Sequence, residues 1–135
     1  MEKKFRNILL IDDDNSSNFF HKRLLTKKTD FAENVIVAND GKEGIELLKK
    51  NKNGEGITPD IIFLDINMPV MDGWDFLEEY EKLAPELKAK TVVIMLTSSL
   101  NPDDRDKALS YEDVNAMYNK LLNQEILNDI EEKLL

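Results

Sequence analysis

Cysteine is missing altogether from the 135 residues, which excludes a disulfide framework, a Cys-ligated zinc and thiol catalysis, and takes away any sign of secretion. Long apolar runs are missing too. Nothing approaches the roughly 18 residues of a membrane span, and Met1 to Lys4 carries charge where a signal peptide would begin its apolar core. The cytoplasm is therefore the expected location, with no membrane partner. Positive charge is in short supply: 18 Lys and Arg stand against 27 Asp and Glu, for a net charge of -9. Without clustered Lys and Arg there is no counterion release to drive nucleic-acid binding, so no nucleic-acid partner is expected. Part of the acidity should attract a cation instead. Repeats, low-complexity tracts and linkers are absent, and the length suits one domain burying roughly two thirds of its unfolded surface. Residues 1–135 are expected to form that single domain.

Five apolar runs are present: Ile8 to Ile11, Val35 to Ala38, Ile61 to Leu64, Val92 to Leu96 and Val114 to Tyr118. Short, mostly unbroken and rich in Ile and Val, they fit strands buried on both faces of a parallel sheet better than alternating antiparallel strands. Helical patterns lie between them. Phe20, Leu24 and Leu25 suit a first helix; Ile45 and Leu48 suit a second, opened by Asp40 with Glu43 at capping-box spacing. Trp74, Leu77 and Leu83 suggest a third. Asn101, Pro102, Asp103 and Asp104 read as an N-cap, a first-turn proline and first-turn acid, opening a fourth. Ile126, Leu127, Ile130 and Leu134 give the last helix one apolar side. Five strand-helix alternations predict a three-layer α/β sandwich with right-handed crossovers. The segment from Asn51 to Pro59, with Gly54 and Gly56, reads as its one loose loop.

Four of the runs end in reactive or charged residues: Asp12, Asp13 and Asp14 after the first, Asp65 after the third, Thr97 after the fourth and Lys120 after the fifth. In an open α/β sheet those carboxyl ends form the ligand crevice. Acids also gather at strand ends simply because they are solvated there, but convergence with Thr97 and Lys120 counts against that bland reading. Neighbouring carboxylates repel unless a cation screens them. An oxygen-only ligand set with room for water suits Mg2+, with Asn67 as a backbone carbonyl donor. Beside such an ion Asp65 could attack a phosphoryl group in line. Lys120 would pair with one phosphoryl oxygen and Thr97 donate to another, so both change partners on its arrival. With no obvious base to discard the group quickly, the expected product is a lasting aspartyl phosphate.

The stretch from Ile8 to Asp14, the segment DIIFLDINMPVMDGWDF from Asp60 to Phe76, Thr97 with Ser98, and Lys120 resemble the receiver domain of bacterial two-component response regulators over nearly the whole chain. The phosphoacceptor strand and its Met68, Pro69, Met71, Asp72 and Gly73 loop are the most specific piece. The resemblance implies a flavodoxin-like fold with five parallel strands in the order 2-1-3-4-5 and five helices. It makes Asp65 the phosphoacceptor, Asp12, Asp13, Asp65 and the Asn67 carbonyl the magnesium ligands, and Thr97 and Lys120 the phosphoryl-responsive pair. It also implies a sensor histidine kinase or histidine phosphotransfer protein as donor, an unknown downstream protein target, and no enzymatic activity beyond the domain's own phosphorylation and dephosphorylation. With nothing following Leu135, the chain resembles stand-alone receivers, whose output face of fourth helix, fifth strand and fifth helix would include Tyr111, Met117 and Tyr118.

Two positions depart from that family. Leu121 stands where proline usually follows the lysine, and a cis bond without proline costs about 2.5 to 4 kcal/mol, so the loop is expected to be trans with Lys120 differently aimed. Met117 stands where the switch aromatic is usual, with Tyr118 one residue later; either the strand register slips, or a thioether replaces the aromatic. These departures motivate an alternative, a binding module independent of phosphorylation. A haloacid-dehalogenase-type phosphatase would need a second acid where Asn67 stands, and a flavodoxin-like flavin carrier would meet repulsion from Asp12, Asp13 and Asp14. His21, the only histidine, is expected on an exposed or edge face of the first helix. Trp74 and Phe76 read as helix packing, Asp14 as an electrostatic neighbour of the metal site, and Ser98 as a small residue leaving room for the phosphoryl group.

Overall fold

Five strands, β1 (Phe5–Ile11), β2 (Ala32–Ala38), β3 (Ile61–Asp65), β4 (Val92–Thr97) and β5 (Val114–Asn119), pair in parallel in the order β2-β1-β3-β4-β5. They are seen in a computed structural model, which describes residues 2–50, 56, 58–90, 92–97 and 101–134, with side chains at 92, 93 and 97 outside that description. Every residue of β3 is buried, as a central strand covered on both faces requires. Helices α1 (Asn15–Arg23), α2 (Gly41–Lys50), α3 (Gly73–Glu81), α4 (Pro102–Ser110) and α5 (Gln124–Leu134) follow the strands in turn. Two apolar cores result. One packs Ile45 and Leu48 of α2, Phe76, Leu77 and Tyr80 of α3 and Ala108 of α4 on one sheet face; the other packs Leu25, just beyond α1, with Leu127 and Ile130 of α5 on the opposite face.

The helix starts follow from short polar side chains. Asp14, Asp40, Asp72, Asn101 and Asn123 each accept a backbone N–H from the first turn of α1, α2, α3, α4 and α5 respectively, worth roughly 1 kcal/mol apiece. At α2 the return bond runs from Asn39 N–H to Glu43 Oε2 (3.3 Å), one residue earlier than the simplest capping box. Much of the acidity thus opens helices.

Four expectations change. The inward side of α1 is formed by Ser17, Asn18 and His21, with Phe19 and Phe20 left 70% and 42% exposed; the helix is where the sequence places it, but its core-facing residues are mostly polar. His21 is fully buried, not on an exposed edge. The β4–β5 register shifts by one between Val93 opposite Val114 and Ile94 opposite Ala116, leaving Asn115 as an extra bulged residue. Beyond the bulge Met117 faces the α2–α3–α4 core and Tyr118 faces α5, so the thioether does occupy the inner position and is buried, absent from the surface. The fourth change is at Lys120–Leu121, where the peptide bond is cis and not trans. Most of the segment from Asn51 to Pro59 lies outside the described residues. Among the described residues, no helix is long and apolar enough to cross a membrane.

Candidate functional site

Parallel pairing of β1 with β3, Ile11 opposite Leu64, brings Asp12 beside Asp65 at the carboxyl edge of the sheet. Asp13 joins them: one carboxylate oxygen from each of Asp12, Asp13 and Asp65 falls within 4.8 Å of the others. Asp12 is fully buried and Asp65 6% exposed, whereas Asp13 faces solvent. Asp12 Oδ1 accepts the Asp14 N–H at 3.0 Å. Its Oδ2 lies 2.6 Å from Lys120 Nζ, yet makes no directed hydrogen bond, so that contact is an ion pair at an oblique angle. Lys120 Nζ also donates to Asp65 Oδ2 at 3.4 Å. Despite Leu121, the lysine enters the crevice.

The electrostatics follow from this crowding. Burial, then the neighbouring Asp12 charge, pushes the Asp65 carboxyl up to about 6 against a partial pull from Lys120. Burial alone would lower the Lys120 pKa, but its contacts with Asp12 and Asp65 outweigh that and raise it. Three carboxylates and a single ammonium leave uncompensated negative charge, and the buried Asp12 Oδ2 lacks a directed donor. A hard divalent cation with oxygen ligands fits both features.

Asp14, by contrast, is turned away into capping: its Oδ2 accepts from Ser17 N–H and Oγ, and the Ser17 hydroxyl is the chief reason its pKa is lowered. Asn67 lies exposed just after β3. Thr97 ends β4 opposite Asn119, one residue before Lys120 on the neighbouring strand; its side chain, and the whole of Ser98, lie outside the described residues. Gly73 packs so tightly under the site that a Cβ there would come within 2.7 Å of the Asp65 carbonyl oxygen and the Ile66 Cα.

The sequence does not single out Asn18, and it sets His21 aside as an exposed or edge residue. Asn18 Nδ2 donates to the Asp12 carbonyl at 2.8 Å, and His21 Nε2 accepts the Leu122 N–H at 3.1 Å. Burial, opposed by the Asp12 charge, pushes His21 down to about 4, so the imidazole is neutral at neutral pH. The available signal was spacing: Ser17 and His21 stand eight and four residues before Leu25 on one helical face. Trp74, half-buried, stacks on Tyr111 with centroids 6.2 Å apart, while Phe76 is wholly core.

Residues 8–131 match the family profile described as the response regulator receiver domain. A protein-glutamate methylesterase/protein-glutamine glutaminase 2 of Photobacterium profundum is 33% identical over 112 residues, covering 82% of this chain and 25% of that protein. The chain spans between 21% and 25% of the length of the first such relatives. A two component response regulator from Cytophaga hutchinsonii has a similar crystal structure, with TM-score 0.85, 32% identity and coverage of 97% of both chains. The Mn(2+)-bound form of response regulator Rcp1 is also similar, with TM-score 0.71, 28% identity and coverage of 94% of this chain and 89% of that one.

Proposed function

The chain belongs to the response regulator receiver family, and from that premise we propose that it accepts a phosphoryl group from a histidine kinase or histidine phosphotransfer protein onto Asp65, with Mg2+, and signals through altered partner binding. The observation that carries this reading is the convergence of Asp12, Asp13 and Asp65 with Lys120 Nζ 3.4 Å from Asp65 Oδ2. In the transfer an Asp65 carboxylate oxygen forms a bond to phosphorus as the phosphorus–nitrogen bond of the donor phosphohistidine breaks, the electron pair leaving on the imidazole. Asp12, Asp13, Asp65 and the Asn67 carbonyl would hold Mg2+, which neutralises charge on the transferring oxygens. Lys120 exchanges its carboxylate partners for a phosphoryl oxygen, and the Thr97 hydroxyl donates to another. The chain's chemistry is confined to its own aspartate. Its net charge of -9 speaks against nucleic acid as the direct target, and a protein partner meeting the side of the molecule that carries Tyr111 and Tyr118 is the proposed output.

Methylesterase and glutaminase activities belong to relatives of which this chain covers about a quarter, and they are not assigned here. The rival reading, a module indifferent to phosphorylation, drew on Leu121 and Met117; with Lys120 reaching Asp12 and Asp65, Leu121 no longer supports it. The test is incorporation of phosphate from acetyl phosphate with Mg2+, followed by intact mass. The parent chain should gain one phosphoryl group and Asp65→Asn none. Equal labelling of the two would give the acceptor role to another residue.

A further inference from the structure

The Lys120–Asp12 contact is held from one helix. On the inner face of α1, Asn18 Nδ2 fixes the Asp12 carbonyl at 2.8 Å. One turn later, His21 Nε2 receives the N–H of Leu122, a residue 101 positions away in sequence and two beyond Lys120. The imidazole is fully buried and Leu122 is 1% exposed, so without this acceptor a buried backbone donor would lose its partner. Packing alone does not explain a histidine here. His21 Nδ1 and Asn18 Oδ1 are buried with no hydrogen bond, a desolvation cost that an apolar pair would avoid. The polar pair instead secures the two chain segments whose side chains meet at 2.6 Å, Asp12 just after β1 and Lys120 just after β5.

We infer that His21 is a positioning residue: by accepting the Leu122 N–H it fixes the β5–α5 loop so that the Lys120 ammonium is held at Asp12 and Asp65. The inference rests on the proposed phosphoryl transfer for its consequence, while the positioning itself is measurable without it. Because Nε2 is the acceptor, neutral His21 carries its hydrogen on Nδ1. Glutamine can place its Oε1 near the position of Nε2, whereas asparagine reaches only as far as Nδ1. That geometry gives a discriminating set: His21→Gln, His21→Asn and His21→Leu.

With acetyl phosphate and saturating Mg2+, the rate of Asp65 phosphorylation should fall about tenfold or more in His21→Leu and His21→Asn, and return to within about threefold of the parent in His21→Gln. The Mg2+ dissociation constant should stay within about twofold throughout, since the acidic ligands follow β1 and end β3 and none is on the β5–α5 loop. The Gln and Asn variants, alike in polarity, carry the comparison should the Leu variant fail to fold. In parallel, acetylation of Lys120 by acetic anhydride, read by peptide mass spectrometry, should rise about fivefold or more in His21→Asn and not in His21→Gln, because a displaced ammonium loses its carboxylate shield. Parental rates in His21→Asn, or equal losses in Gln and Asn, would overturn the positioning role. A parent that takes up no phosphate would sink the proposed function, and Lys120 acetylation would then decide the inference alone: unchanged reactivity in His21→Asn refutes it.

Discussion

In the proposed transfer Asp65 must be ionised to attack phosphorus, yet burial and the Asp12 charge press it toward the protonated form, to about 6 from an ordinary value of 3.8. The folded chain therefore holds this proton to higher pH than the unfolded chain does. Between roughly pH 4 and 6 folding is accompanied by net proton binding at this site, so stability falls as pH rises and the loss is complete above the folded value. Asp65→Asn removes that penalty and leaves Lys120 its 2.6 Å contact with Asp12. In EDTA at pH 7.5 the variant should resist urea better by about 3 kcal/mol, given roughly 1.4 kcal/mol per pKa unit, and the gain should vanish near pH 3.5. A variant no more stable than the parent at pH 7.5 would mean that Lys120 already cancels the repulsion. Saturating Mg2+ should narrow the difference, by stabilising the parent in proportion to the logarithm of one plus the ratio of free Mg2+ to its dissociation constant.

The loop from β3 to α3 shows how an element can be bent to serve a site. Met71 N–H donates to the Pro69 carbonyl at 2.7 Å across Val70, whose φ of 66° places a β-branched residue in a γ-turn of the strained, positive-φ kind. Gly41 N–H to Met71 carbonyl and Gly73 N–H to Ile66 carbonyl then tie the loop back to α2 and to the acceptor strand. Val70 is 79% exposed, so its side chain contributes little packing. Val70→Gly should relieve about 1–2 kcal/mol of strain, and glycine's extra unfolded-state entropy returns about 0.5–1 of it. The expected net gain is about 0.5 kcal/mol or slightly more in urea unfolding, with phosphorylation unchanged; a loss would show that Val70 makes a contact worth more than its strain.

Elements of this kind also mark where the sequence was and was not legible. Unbroken Ile and Val runs announced β1, β3 and β4, and Asp40 and Asn101 announced the starts of α2 and α4, because both signals are local. The inward face of α1 could not be read from hydropathy, since Ser17, Asn18 and His21 face inward while Phe19 and Phe20 face out. The orientation of Tyr118 depends on a single bulged residue, Asn115, set by pairing with β4 and not by β5 itself. The acidic site was legible because its members end strands; Asn18 was not, because hydropathy does not mark it as inward-facing, nor was His21, because its partner lies 101 residues away.

At the scale of the molecule, the site sits at one edge of a sheet whose central strand is wholly buried, and under the proposed function a signal from it leaves through whatever is held most loosely. Helices α2, α3 and α5 each bury large apolar side chains. Helix α4 buries only Ala108 among its described residues, and its capping Tyr111 is joined to α3 by the Trp74 stack, over which Lys107 places its ammonium 4.4 Å from the ring centre. Few buried apolar contacts mean a low free energy of local opening. Native-state hydrogen exchange should therefore find α4 amides opening more readily than those of α5, and Mg2+ with beryllofluoride should change protection in α4 while leaving β3 unaltered. Trp74 emission should shift in the same titration, because its ring bridges α3 and α4, and the shift should be lost in Asp65→Asn. Protection in α4 equal to that in α5, unmoved by beryllofluoride, would place the route from Asp65 to a partner elsewhere, with Tyr118 and its Asp129 and Lys133 contacts on α5 as the next segment to follow.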